Sequence, residues 1–375
     1  MNFADPVRLR TMTLLTTVGG SPRPGGAPAS HGATGATDPT TVSAAAHAAV
    51  GARDEQAFAA LADRHRRELH VHCYRLLGSF DDAEDAVQET LLRAWRARDG
   101  FAGRGSFRAW LYRIATNVSL DVAARRPRVA GPAVTGPGAR ARQGVPEVPW
   151  LQPYPDALLD ELATDAEGPD AVVVARETIE LAFVAAIQHL PARQRAVLIC
   201  RDVLGWRASE TAQALDVTVA AANSALQRAR ATLQRILPAE RLEWDPGPRP
   251  SAEERALLQR YVEASEQGDP EAMVEVLRDD VRFSMPPQPG RWVGAERVVA
   301  SWVAGGFGQP GFGELRLVAT RANRQPAMAN YVRVPGDDAF RPLALDVLRI
   351  EDGRIAEIVT FPPEVFAAFG LPPTR

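Results

Sequence analysis

The chain has no lysine. All 43 of its basic residues are arginine, which points to a GC-rich genome and says little about mechanism. It has two cysteines, Cys73 and Cys200, in segments that read as separate modules. Two such thiols exclude a disulfide framework and a cysteine-rich zinc site, and they fit a reducing cytoplasm. No apolar run approaches the about 20 residues that cross a bilayer. The N-terminal stretch "MNFADPVRLRTMTLLTTVGG" is rich in threonine and lacks a clear small-residue cleavage site. It reads as disordered rather than as a signal peptide, and Met12 offers a second translation start. Nothing implies a cofactor, a metal or a membrane contact. Histidine is scarce, and none follows His189.

What is there is a sizeable apolar fraction, 46% of 375 residues, enough for two or three domains. The net charge of −3 hides a sorting by segment. Residues 48–130 hold 14 arginines against 11 acids, residues 131–170 hold 2 against 7, and residues 251–375 hold 14 against 18. Residues 1–47 are rich in Gly, Pro, Ala, Ser and Thr without apolar periodicity, a disordered extension. Helical periodicity then runs from Asp54 to Arg126, with Gly78 ending one helix and Ser79 or Asp81 able to cap the next. A Gly-rich loop leads to a third helix from about Phe107 to Ala124. A Pro/Gly-rich acidic linker occupies 129–170, a second helical block 171–240 and a Pro-rich linker 241–251. The last block, 252–371, shows two helices followed by the strand-like segments "VRFSM", "ELRLVATR", "MANYVRV", "LALDVLRI" and "RIAEIVTF". "DGR" at Asp352–Arg354 reads as a hairpin turn.

Three constellations carry chemistry. In "DDAEDAVQET", spacings of three and four place Asp85, Gln88 and Glu89 on one helix face, beside Glu84. This is either a solvated acidic face matched to the helix dipole or a docking face for a basic partner. In "SFRAWLYRIATN", Phe107, Trp110, Leu111 and Ile114 repeat as a core stripe, while Arg108, Tyr112, Arg113 and Asn117 fall beside it. Aromatics next to arginines can hold splayed bases by stacking, and Arg125 and Arg126 at the helix end suit a phosphate backbone. The third is "RASETAQALDVTVAAANSALQRARATLQ". A short helix, a turn at Leu215–Val217 and a longer helix capped by Thr218 make a helix-turn-helix. Asn223, Ser224, Gln227, Arg228 and Arg230 then lie where base edges and phosphates are met.

These segments resemble the extracytoplasmic-function group of the sigma-70 family. "DDAEDAVQETLLRAW" is similar to its polymerase-docking helix, "GSFRAWLYRIATN" to its promoter-melting region, and residues 190–232 to its C-terminal helix-turn-helix. The resemblance implies two all-α modules, a sigma region 2 helical bundle (48–128) and a sigma region 4 helix-turn-helix (171–240). Residues 252–371 resemble the SnoaL-like α+β cone-shaped barrel, on topology and on "WVGAERVVASWV" and "EIVTF". The implied function is promoter recognition and transcription initiation with core RNA polymerase, modulated in cis by the last domain. Glu84, Asp85, Gln88 and Glu89 are then expected to meet polymerase. Arg108, Trp110, Tyr112, Arg113, Asn117, Arg125, Arg126, Thr218, Asn223, Ser224, Gln227, Arg228 and Arg230 are expected to meet DNA. A cone pocket near Phe283, Trp292 and Asp346 is expected to take a small molecule, if any. The acidic linker is expected to be flexible and to thread the polymerase cleft. Two departures from the family pattern stand out, Asn223 and Ala225 at positions often basic and Asp216 in place of the usual turn glycine. An isomerase or cyclase fused to a DNA-binding module is the alternative, which the missing histidine disfavours. A plain helix-turn-helix regulator is the other, and the docking and melting helices disfavour it.

Overall fold

The computed structural model describes residues 55–101, 106–126, 148–163, 179–237 and 251–375. The expectations for residues 1–47, for most of the Gly-rich loop, for much of the acidic linker and for nearly all of the Pro-rich linker lie outside these residues.

The first module is a bundle of α1 (Glu55–Asp63), α2 (Arg66–Leu77), α3 (Phe80–Arg96) and α4 (Phe107–Arg125). Gly78 closes α2 in the left-handed conformation (φ 68°), where a side chain would be strained. Ser79, one of the two expected caps, accepts the Asp82 N–H at the start of α3, and Ser106 does the same for α4. The buried face of α3 is made of Ala83, Ala86, Val87 and Ala94, all 0–1% exposed. Their small size lets Leu69, Cys73 and Leu77 of α2 and Leu111 of α4 close around it.

The second module comprises α6 (Leu181–Ile187), α7 (Ala192–Leu198) with a π-turn to Val203, α8 (Ala208–Ala214) and α9 (Val219–Ile236). The α8–α9 turn has Asp216 at φ 52°, a backbone that aspartate tolerates better than most residues. Thr218 accepts the Ala221 N–H and caps α9. Ala212, Ala222 and Ala229 let the two helices of the motif approach.

The C-terminal domain has α10 (Ala252–Gln267) and α11 (Pro270–Val276), as expected, and α12 (Ala295–Ala304), which the sequence did not announce. The six-stranded sheet runs β2 (Gln288–Val293), β1 (Leu277–Met285), β6 (Arg354–Phe361), β5 (Arg341–Glu351), β4 (Gln325–Arg333), β3 (Glu314–Ala322). Only β1 and β6 pair in parallel. The short edge strand β2, with its Pro289 and Gly290, carries no alternating pattern and escaped sequence reading. Asp352 and Gly353 both take positive φ, as the "DGR" hairpin requires. A second tight hairpin, at Asn323 (φ 54°) and Arg324 (φ 64°), joins β3 to β4.

Alternation along the strands gives the sheet two different faces. Phe283, Met328, Leu348 and Ile358 pack on Leu257, Tyr261, Met273 and Val298 of the helices. Ala327, Ala329, Leu345 and Val347 point the other way and join the same apolar cluster as both helical modules. That cluster includes Val148, Leu151, Tyr154 and Leu159 of the acidic linker. The described part of the linker is therefore not a loose strand. It carries α5 (Asp156–Ala163), and it is wedged between modules because its apolar residues outweigh its charge locally.

Candidate functional site

The acidic face of α3 is real. Asp85 and Gln88 are exposed, Gln88 donates weakly to Glu84 (3.4 Å), and Glu89 is ion-paired with Arg93 at 2.7 Å. Glu84 is held by Arg66. Asp85 and Glu89 open into an acidic groove with Asp82 and, from α4, Asp121, whose contribution the sequence did not reveal. Arg93 and Arg125 sit in the same groove.

The basic aromatic helix α4 divides. Arg113 and Asn117 are exposed and one turn apart. Trp110 is half-buried, its ring 5.1 Å from that of Phe101 and 5.6 Å from that of Phe107. Tyr112, expected to meet DNA, is buried in this arrangement. It is 4% exposed, and its hydroxyl donates to Glu68 at 2.9 Å, so no base can stack on it in this arrangement. Burial raises its pKa well above the ordinary tyrosine value. Arg108 donates to Glu68 (2.7 Å) and lies over the Tyr112 ring. Arg126, also expected to meet DNA, is partly buried. It binds Asp82 and the Leu77 carbonyl and lies over the Trp150 ring, tying helix end to linker rather than facing solvent. Burial brings its pKa down to about 10.

On α9, Asn223, Ser224, Gln227 and Arg228 are all exposed on the face away from Ala222, Leu226 and Ala229. Thr218 is spent as the cap. Arg230 is held by Asp202 through two hydrogen bonds of 2.6 and 3.0 Å, at the surface.

The largest surprise is a four-way junction at the β3–β4 hairpin tip. Asn323 is fully buried. Its carbonyl oxygen accepts the Tyr154 N–H of the linker (2.7 Å). Its amide donates to the Tyr74 hydroxyl of α2 (2.9 Å) and to the Ile179 carbonyl just before α6 (2.7 Å). One side chain thus touches all three other parts of the protein. Beside it, Arg321 donates to Asp156 at 3.0 Å, and the Arg324 N–H donates to the same carboxylate at 2.8 Å. Burial raises the pKa of Asp156, and the two arginines partly offset this. The Arg324 side chain reaches Asp160, and Gln325 accepts the Leu181 N–H at 3.2 Å. Gln152 of the linker binds Ser79 (2.8 Å) and Asp81 (2.6 Å) at the start of the acidic helix.

The helical modules also touch directly. The Arg195 guanidinium donates to the carbonyls of Ile187, Gln188, Leu190 and, across the interface, Leu76. It gathers the ends of two helices with no carboxylate among those partners, and burial pulls its pKa down to about 9. The Trp206 ring stands 6.3 Å from that of Tyr112. At the hairpin tip, Asn323, Tyr154 and Asp156 fall in no motif, so only Asn-Arg as a turn pair was available as a signal.

In the cone, Phe283 and Trp292 face each other across β1 and β2 with ring centroids 5.3 Å apart. Asp346 lies elsewhere in the same layer, accepting from Tyr261 (3.0 Å), Asn330 (2.7 Å) and Thr360 (2.5 Å). Burial raises its pKa, against the pull of those three donors.

Two helical modules, the second a helix-turn-helix with its reading face exposed, followed by an α+β cone, define a promoter-recognition subunit with an appended domain. Residues 61–129 match Sigma-70 region 2, residues 180–233 match Sigma-70 region 4, and residues 258–358 match the SnoaL-like domain. The ECF RNA polymerase sigma factor SigG of Mycobacterium tuberculosis is 42% identical over 324 residues, 84% of this chain and 84% of that protein. SigJ of the same organism is 28% identical over 311 residues, 78% of this chain and 88% of that one. The crystal structure of SigJ shares the fold, with a TM-score of 0.50 and 23% identity over 82% of this chain and 97% of that one. The chain belongs to the extracytoplasmic-function (ECF) RNA polymerase sigma factors. Its function is promoter recognition and transcription initiation with RNA polymerase. Among the described residues, no helix is long and apolar enough to cross a membrane.

Proposed function

We propose that the C-terminal domain modulates this sigma factor in cis, by holding region 2, the linker and region 4 in one closed arrangement. The observation that carries this is the Asn323 side chain, bonded at once to Tyr74, Tyr154 and Ile179. Region 2 and region 4 read separate promoter elements, so they must part to bind a promoter together. Contacts that pin both modules and their linker to one hairpin oppose that parting. A tethered domain acts at high effective concentration, so a few such contacts suffice.

Within this reading, Asp85 and Glu89 meet the basic face of core polymerase. Asn223, Ser224, Gln227 and Arg228 read the upstream element, and Trp110, Arg113 and Asn117 serve the downstream element. Tyr112 and Arg126 are tied up inside the closed protein and become available to DNA only after rearrangement, whereas Arg108 and Arg230 stay exposed, each held by a carboxylate of its own module, Glu68 and Asp202. The linker has to leave its wedge before it can enter the polymerase cleft. Asp346, with its donors, acts as a structural carboxylate of the cone.

Run-off transcription with core polymerase, comparing the full chain with a chain truncated after Trp244, tests the proposal. Truncation is expected to raise promoter-dependent transcription, and Asp346→Asn to leave it largely intact. Equal transcription by full-length and truncated protein at every ionic strength would sink it.

A further inference from the structure

The recognition helix α9 begins without charge. In a chain of 43 arginines, its stretch Val219–Gln227 holds none, and no carboxylate either. The first arginine of the helix is Arg228, in its third turn. Val219, Ala220 and Ala221 are exposed at the tip, and Ala225 is half-buried. Side chains this short let the helix lie close to a groove floor, so that short amides reach base edges. Asn223 and Gln227 are those amides. They stand four residues apart on the exposed side of α9, and among the described residues neither has a hydrogen-bond partner within the chain. Thr218 and Arg230, by contrast, are held by the Ala221 N–H and by Asp202.

A primary amide carries a donor, its NH2, beside an acceptor, its carbonyl oxygen. In the major groove adenine offers the complement, the N7 acceptor beside the N6 amino donor. Guanine offers two acceptors, N7 and O6, which suit a guanidinium and leave an amide oxygen facing O6. Cytosine and thymine present a single hydrogen-bonding group each, so no second bond forms. A helix tip with Asn and Gln and no arginine is therefore matched to adenine. Residues four apart are separated by a rise of about 6 Å. Base pairs repeat every 3.4 Å or so, roughly half that rise, so the two amides meet positions about two base pairs apart.

We propose that Asn223 and Gln227 each read an adenine, on either strand, at neighbouring positions of the upstream promoter element, through paired hydrogen bonds to N6 and N7. This assignment rests on the reading given above, in which α9 meets that element, and it names the bases met there. The amide pair, rather than any arginine, then sets the sequence preference at these two positions. Exchanging an amide for a guanidinium exchanges the preferred base, because the guanidinium fits the two acceptors of guanine.

The test is selection of bound promoters from a library randomised over the upstream element, with holoenzyme assembled from the full chain and core polymerase. The wild type is expected to select adenine at both positions. Asn223→Arg is expected to convert one of them to guanine and leave the other, and Gln227→Ala to erase the preference at the other alone. On the selected sequence, 7-deazaadenine removes only the N7 acceptor, and affinity is expected to fall about fivefold at either position, the loss of one hydrogen bond. In Asn223→Ala, the same replacement at the Asn223 position is expected to have no effect. Selection by the wild type of a base other than adenine at the positions the variants shift, or undiminished affinity for the 7-deazaadenine templates, would overturn this assignment and leave the reading of α9 intact. Preferences identical in wild type, Asn223→Arg and Gln227→Ala would overturn both.

Discussion

Replacing Asn323 by glycine isolates the junction. The backbone there has φ 54°, which glycine adopts freely, so the substitution removes the side chain without adding strain. Alanine would confuse the result by about 1–2 kcal/mol of left-handed backbone cost. Asn323→Gly deletes the hydrogen bonds to Tyr74, Tyr154 and Ile179. At about 1 kcal/mol net for each, the closed arrangement loses about 3 kcal/mol. In an opened protein these groups meet water, so the loss falls on the closed state alone. About 3 kcal/mol is roughly a hundredfold change in the ratio of closed to open protein. If only the open form engages polymerase, the apparent affinity for core enzyme tightens by up to that factor. The assay is equilibrium binding of labelled full-length and Asn323→Gly protein to core polymerase, with thermal unfolding of the C-terminal domain as a control. Unchanged polymerase affinity in a variant whose C-terminal domain remains folded would refute the reasoning.

Burial holds the His72 pKa down to about 3 and the His70 pKa down to about 4. The unfolded chain takes up these protons below 6.5 while the folded protein refuses them, so region 2 loses stability as pH falls from there toward about 4. Urea midpoints across that range should fall less steeply in His72→Gln. Asp85→Arg with Glu89→Arg places like charges before a basic surface and should weaken co-purification with core polymerase severely, with the free protein still folded. Asp202→Asn frees Arg230 from a surface ion pair worth under about 1 kcal/mol. DNA binding by region 4 should strengthen at most about fivefold and become more salt-dependent, evenly across sequences. Gln227→Ala, by contrast, should change base preference, and selection from a randomised promoter library distinguishes the two.

Much of the fold was legible because it rests on local chemistry. Caps at Ser79 and Thr218, the αL stop at Gly78 and the "DGR" hairpin each follow from one or two residues. Alternation gave β6 to the residue and the other long strands to within a few residues. The edge strand β2 and the helix α12 were missed, the first for want of pattern, the second because it interrupts a run of strands. Site residues were less legible where the outcome depends on long-range packing. Tyr112 and Arg126 have the composition of a DNA-facing helix, but Glu68 and Asp82, distant in sequence, claim them. The linker was misread as loose because its net charge was weighed above Val148, Leu151, Tyr154 and Leu159, which are buried. Asn323 carried no motif at all. Its role arises only when a hairpin tip meets three other segments in space.

The central claim is that the C-terminal domain keeps region 2 and region 4 together until polymerase separates them. The most direct measurement is single-molecule energy transfer between dyes on cysteines placed at the exposed Arg96 and Gln234. Native Cys73 and Cys200 are buried with pKa values near about 12, so they stay unlabelled. The free full-length protein should give a single high-transfer population. Truncation after Trp244 should add a low-transfer population, and core polymerase should convert the full chain to low transfer. A free protein whose transfer distribution is the same with and without the C-terminal domain would contradict the account.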